Sequence, residues 1–278
     1  MIKEELITGF KTLFNPHRMG FRVYKLYLKL RNIPHEREKL LEDIIGTRRV
    51  WWLGECSGSW DVVIAFFCRS DQEFFYLKNE IVSSANKIIV EHSAQTLIDA
   101  RQFTKRYFTN RVGDYSFIGG NVQEYQLSDW ERQFLNTIVN DARLPISTLA
   151  KKLRSSTTKI RHNIQKLEKL GIITQYNIDV DYSKLGLSFY KVIIYYDKYT
   201  RDNEEEIFSY LATIPKLHHF IRNLNSIELE LLVSTFEEHY EILEDLKKKF
   251  PYFVVSTDSL LIIRDKWTPG FESLRLDH

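Results

Sequence analysis

An α+β chain in which two βαββαβ units flank a basic three-helix module is what the 278-residue sequence predicts, on three observations. The first is an internal repeat. ITGFKTLFNPHRMGFRVYKL, starting at Ile7, aligns without a gap on ITQYNIDVDYSKLGLSFYKV, starting at Ile173, placing Gly20 on Gly186, Tyr24 on Tyr190 and Lys25 on Lys191. Self-similarity of this length marks a duplicated unit. The second is the same order of period-two and helical segments after each copy. The third is charge: residues 142–171 hold eight Lys or Arg and one Glu, a net +7, while the whole chain is only +2.

In the first unit Tyr24, Leu26, Leu28 and Leu30 alternate with Lys25, Tyr27 and Lys29, as in a half-buried strand. A helix follows over about 36–45 and closes at Gly46. Strands over about 50–56 and 60–68 are joined by Ser57-Gly58-Ser59, a helix opens at Ser70-Asp71, and the last strand covers about 88–97. The second unit repeats the order over 189–196, 204–212, 217–223, 227–234, 236–249 and 253–263. Ile227, Leu229, Leu231 and Val233 face one way and Glu228 and Glu230 the other, so helices cover one sheet face, as in ferredoxin-like sandwiches. The opposite face carries Lys25, Tyr27, Lys191, Ile193 and Tyr195. Aromatics there call for cover by a second sheet, from the same chain or a partner, and dimerisation is expected.

Between the units, Leu127-Ser128-Asp129 sets an N-cap and Trp130, Phe134, Leu135, Ile138 and Val139 recur at helical spacing. A short helix with Ile146, Leu149, Ala150 and Leu153 follows Pro145, and Ser156 caps a third that buries Ile160, Ile164 and Leu167. With the β-prone segment after Gly171, these three helices make a helix-turn-helix with a wing. Thr158, His162, Gln165 and Lys169 fall on the outer face, flanked by Ser155, Lys159 and Lys166. Short polar groups that bond base edges, beside cations that hold phosphates, are what double-stranded DNA recognition requires. The residues expected at DNA are Arg143, Arg154, Ser155, Ser156, Thr157, Thr158, Lys159, Arg161, His162, Gln165 and Lys166. In residues 100–126 a connecting helix and hairpin are expected, with Arg101, Lys105, Arg106 and Arg111 as further cations.

The bulk composition, 44% hydrophobic and 27% charged, is that of an ordinary soluble chain. No apolar run approaches the roughly 20 residues of a membrane span, and Met1-Ile2-Lys3-Glu4-Glu5 is unlike a signal peptide, so a cytoplasmic protein without membrane contact is expected. Cys56 and Cys68 have no close partner and no His at ligand spacing, which predicts buried thiols and neither a metal nor a cofactor. His17, His35, His92, His218, His219 and His239 look scattered, so no catalytic residues and no enzyme are expected.

LSDWERQFLNTIVNDARLPISTLAKKL followed by IRHNIQKLEKLGIITQYNIDVDYSKLGL resembles the AsnC-type winged helix-turn-helix of the Lrp/AsnC regulators. Asp141-Ala142-Arg143, Leu167-Glu168, Gly171-Ile172-Ile173 and Leu185-Gly186 carry the likeness, and Gly58-Ser59-Trp60-Asp61 resembles that family's turn between strands two and three. Arg154 and Ser155 depart from the family's Gly and apolar residue, and Asn225-Ser226-Ile227-Glu228 replaces its Gly-containing turn. The resemblance implies a transcription regulator, a homodimer through the ferredoxin-like domains, and an amino-acid effector near Glu55, Ser57, Gly58, Ser59, Trp60 and Asp61. It implies a wing or linker remnant over 1–20 and effector-type domains over 21–99 and 183–278. The linker is then 100–126 and the DNA-binding domain 127–182. Met1 aligns with the end of a recognition helix, as if a first helix-turn-helix were missing. A protein-protein adaptor, an architectural DNA-binding paralogue and a haem-pathway decarboxylase-like enzyme are the alternatives.

Overall fold

Strand pairing runs without a break from one unit into the other. The computed structural model describes residues 5–103, 106, 115–139, 141–197 and 200–267. In chain order these form β1 (Ile7–Phe14), then the first unit: β2 (Arg22–Leu30), α1 (Pro34–Gly46), β3 (Val50–Gly58), β4 (Val62–Cys68), α2 (Asp71–Ser84) and β5 (Ile89–Phe103). Next come β6 (Tyr115–Gly119) and the basic module of α3 (Asp129–Ile138), α4 (Ile146–Lys152), α5 (Thr157–Lys169) and β7 (Ile173–Val180). The second unit is β8 (Ser188–Tyr196), α6 (Arg201–Leu211), β9 (Leu217–Asn223), β10 (Ile227–Val233), α7 (Phe236–Lys249) and β11 (Val254–Trp267). Both units are βαββαβ, as the pattern predicted. Local chemistry fixes the helix starts: Ser70 and Thr235 accept from the amides of Glu73 and Glu238, the same cap in both copies.

The strands follow the order β2-β4-β3-β11-β8-β10-β9-β5, and β5 pairs back onto β2, so the two four-stranded sheets close into one barrel. Closure removes the free edges of both sheets. The joints are β3 on β11 and β5 on β9. Pairing with the other unit extends β5 to Phe103, beyond the strand end near 97 read from sequence, because nothing in the local pattern encodes a partner about 120 residues away. The helices lie outside over two cores, one built on Tyr24, Leu26 and Ile64, the other on Leu229, Leu231 and Leu243.

The aromatic and charged sheet faces therefore cover each other inside the chain: Lys25, Tyr27, Lys191 and Ile193 are all buried. The cover that the sequence demanded is intramolecular. Both thiols are buried and free, and burial pushes each up to about 12. Among the described residues no helix is long and apolar enough to cross a membrane.

β1 pairs with β7 as a separate antiparallel ribbon, Phe10 opposite Ile178 and Thr12 opposite Tyr176, so the repeated segments meet each other. The three-helix module sits on this ribbon. Thr12 donates its hydroxyl to Ile138 O at 2.8 Å and its amide to Val139 O, Ala142 N donates to Phe10 O at 3.0 Å, and Asn15 N donates to Ile172 O at 2.9 Å.

Candidate DNA interface and the barrel lumen

Ser128 opens α3 with a capping box, its hydroxyl bonded to the Glu131 amide and the Glu131 carboxylate returning to the Ser128 amide. Phe134, Leu135, Ile138, Leu149, Ile160 and Leu167 then bury the core of the module, while Ile164 is only half-buried. Between α4 and α5 the chain turns at Arg154, where φ is +47°. Arg154 N donates to Lys151 O and Ser155 N to Ala150 O, the paired bonds of a Schellman C-cap. Glycine is the residue that fits this conformation without cost, so Arg154 places a cation in the turn at the expense of stability.

α5 begins at the Ser156 cap, whose hydroxyl accepts from Lys159 N, and presents exposed Thr157, Thr158, Arg161, His162, Gln165 and Lys169. Exposed Lys151, Lys152 and Arg154 precede its start in the chain by a few residues, and the helix dipole adds partial positive charge there. Ser155 is half-buried, and Arg143 lies 4.6 Å from the centroid of the Phe10 ring. Two expected phosphate ligands, both exposed, also contact α3. The Lys159 ammonium sits 4.4 Å from the Trp130 ring centroid, and Lys166 Nζ donates to Glu131 Oε1 at 2.9 Å. Although burial pushes Glu131 up, that ammonium and the Ser128 cap hold it down at about 2. Arg101 and Arg106, the described linker cations, turn inward: Arg101 stacks on Phe208 and Arg106 donates to Ala212 O at 2.6 Å. Lys105 and Arg111 lie outside the described residues.

Residues 55–61 form the end of β3 and its turn into β4. Glu55 pairs with Arg37 at 3.0 Å, Trp60 is buried against Tyr27, and Asp61 accepts from Leu30 N at 2.7 Å. Gly58 has φ +138°, and a Cβ there would lie 2.5 Å from Ser259 O, so close approach of β11 requires glycine. Ser57 and Ser59 are exposed.

A family model described as winged helix-turn-helix DNA-binding matches residues 131–174. An uncharacterized HTH-type transcriptional regulator of Pyrococcus horikoshii is 30% identical over 118 residues, which cover 41% of this chain and 79% of that protein. HTH-type transcriptional regulator LrpC of Bacillus subtilis is 27% identical over 129 residues, 46% of this chain and 86% of LrpC. The chain belongs to the Lrp/AsnC family of HTH-type transcriptional regulators. The crystal structure of the siroheme decarboxylase NirDL covers 98% of this chain and 83% of its own, with a TM-score of 0.67 and 12% identity, a likeness of fold alone.

Sequence reasoning missed the interior of this Lrp/AsnC barrel. A cavity of about 600 Å³ occupies one end of the lumen under the β1–β7 ribbon, with side chains from all eight barrel strands in its wall. Behind the lining residues Lys25 and Lys191, the fully buried Glu228 accepts from Lys25 at 2.6 Å, Lys191 at 2.8 Å, Asn223 at 2.6 Å and the Tyr27 hydroxyl. Lys191 also donates to Glu230 at 2.5 Å, and His219 Nδ1 lies 2.5 Å from Glu230 Oε2. Burial pushes the Glu228 carboxyl up, but the two ammoniums outweigh it and hold it at about 2; burial brings Lys25 down to about 8 despite Glu228. The scattered histidines of the sequence are partly gathered here. The pairing of β10 with β9 slips between Glu230 and Leu231, leaving His218 as an extra residue, and both His218 and His219 line the cavity with ring centroids 4.3 Å apart. The adjacency of His218 and His219 was the one available signal, but without the bulge consecutive strand residues point to opposite faces.

Proposed function

We propose that this regulator binds double-stranded DNA sequence-specifically, with residues 127–182 as the reading head and α5 in the major groove. The observation that carries the reading is the solvent face of α5, where Thr157, Thr158, Arg161, His162 and Gln165 stand exposed while Ile160 and Leu167 are fully buried. Arg154 and the Ser155-Ser156 turn support it at the helix start, where a phosphate meets a cation and backbone amides, and exposed Arg143 is a further proposed phosphate contact. Two copies related by a twofold axis would present two heads to an inverted repeat, so a cytoplasmic homodimer is the proposed working form. Because the sheet faces are covered within the chain, that dimer uses another surface.

Fluorescence anisotropy of a labelled duplex against salt tests the head. Arg161→Ala flattens the slope of log affinity against log salt by about 0.9 if Arg161 meets a phosphate. An unchanged slope removes α5 from the interface. Ligand control by an amino acid at Glu55, Ser57, Gly58, Ser59, Trp60 and Asp61 is proposed on the exposed serines and the glycine-dependent approach of β11. Calorimetry with an amino-acid panel checks it, and Ser57→Leu abolishes the heat if the turn is the site.

The regulator reading carries no catalysis. The imidazole pair in the lumen, on a fold shared with a siroheme decarboxylase, favours one second reading, a tetrapyrrole enzyme. Titration with iron-uroporphyrin III and incubation with siroheme decide between them: a shifted porphyrin absorption band together with carbon dioxide released from siroheme favours the enzyme, and an unchanged spectrum without release favours the regulator.

A further inference from the structure

We propose that the outer face of α2 is a homodimer surface, which docks against α2 of a second copy of this chain. The surface supplies the contact that the homodimer reading above leaves unnamed, and in that respect it rests on that reading.

The sequence of α2 builds two faces. Phe74, Leu77 and Ile81 recur at helical spacing and turn to the core, Phe74 and Ile81 buried and Leu77 packed with them. Gln72, Phe75, Tyr76, Asn79 and Ser83 recur at the same spacing on the opposite side, and none of the five is charged. Phe75 is 53% exposed and Tyr76 61%, their rings edge to face with centroids 5.7 Å apart. A helix face that ends in water is normally charged or strongly polar, and paired aromatics there leave a large apolar area uncovered, so a partner completes this one.

The duplicated helix shows the same face as it stands in water. α7 opens at the same cap, so Gln72 matches Glu237, Phe75 matches Tyr240, Tyr76 matches Glu241, Asn79 matches Glu244 and Ser83 matches Lys248. Four of these five α7 residues are charged. α7 also exposes Phe236 and Tyr240, but those rings stand among the charges. Both faces descend from one repeat, and only the first is neutral.

Neutrality singles out a copy of the same chain as the occupant. In a twofold contact each residue near the axis meets its own counterpart, so a charge there meets its own sign, and like charges set against each other cost affinity. A charged partner of another kind calls instead for opposite charge on α2. The two helices run antiparallel about the axis, Tyr76 of one copy beside Asn79 of the other and Gln72 beside Ser83, groups that can bond each other around the apolar rings.

The place of α2 in the fold suits this arrangement. Arg69, the residue before the α2 cap, lies 4.8 Å from the centroid of the Phe21 ring, in a cleft of about 190 Å³ whose wall also holds Arg132 of α3. The start of α2 therefore faces the three-helix module. An antiparallel pair sets the two starts about 21 Å apart, for 14 residues at about 1.5 Å each, so the two modules lie at opposite ends of the joint.

Sedimentation velocity on the full chain without DNA tests the surface. One helix face per copy stands at the lower end of specific interfaces, roughly 1,200 Å² in total, so a dimer that dissociates in the micromolar range is expected. Tyr76→Glu together with Asn79→Glu installs the charges that α7 carries at the matched positions, keeps good helix formers, and weakens the dimer about tenfold or more. Tyr240→Glu on α7, the control, leaves it unchanged. Circular dichroism checks the fold of both variants. A wild-type chain that stays monomeric overturns the surface and the homodimer together and leaves the face to a different protein. A dimer that survives the α2 charges, or that the α7 control disrupts equally, overturns the surface while the homodimer stands. A dimer broken by the α2 charges, in a chain that binds no duplex, supports the surface while contradicting the DNA-binding reading.

Discussion

Arg154 holds φ at +47° in the turn between α4 and α5, where an L side chain crowds its own backbone. In the proposed DNA-binding reading the guanidinium there serves binding at the cost of folding. Arg154→Gly therefore stabilises the chain by about 1 kcal/mol in urea titrations while weakening DNA affinity in the same preparation. Glu228 shows the opposite balance. Its carboxyl is held at about 2 against 4.5 for the free group, so its ionised form stabilises the fold at all pH values above about 4.5. That contribution, about 3 kcal/mol, is lost as pH falls from about 4.5 to about 2, because the unfolded chain takes up the proton first. Glu228→Gln takes the paired carboxylate from Lys25 and leaves Lys191 with Glu230 alone, lowers stability by about 3–5 kcal/mol at neutral pH, and flattens the acid limb. Chemical melts at neutral and acid pH read both effects.

Among the elements, α5 was legible because its apolar residues recur every three to four positions, and Ile160 and Leu167 are indeed fully buried. The direction of its lysines was not. Lys159 and Lys166 lean onto Trp130 and Glu131 of α3, contacts that depend on the packing of two helices and leave no trace in periodicity. Lys166→Ala is thus expected to leave the salt slope of DNA binding nearly unchanged and to lower the melting temperature of the protein, with Arg161→Ala doing the reverse. The β9 bulge was hidden for a related reason: a strand pattern assumes strict alternation, and a single extra residue, His218, re-aims an imidazole into the lumen.

At the scale of the whole molecule, the repeat announced two related units, and the aromatic faces of their sheets announced a cover. Closure into one barrel was the part that required the structure, since β3–β11 and β5–β9 pair residues far apart in the chain. Those joints make the two units one cooperative body. Amide exchange at Ile221 on β9 and Leu261 on β11 should be protected as strongly as at Leu26 and Leu229 within the units; faster exchange confined to the joints would show that the halves open separately. The module depends on that body through the β1–β7 ribbon, so in the proposed reading the barrel is what presents α5 to DNA. Selection of the purified protein against a randomised duplex pool at physiological salt, followed by sequencing, tests it most directly. Enrichment of an inverted repeat whose half-sites lie about one helical turn apart, abolished by Arg161→Ala together with His162→Ala, is the predicted result; a pool that emerges unenriched would contradict it.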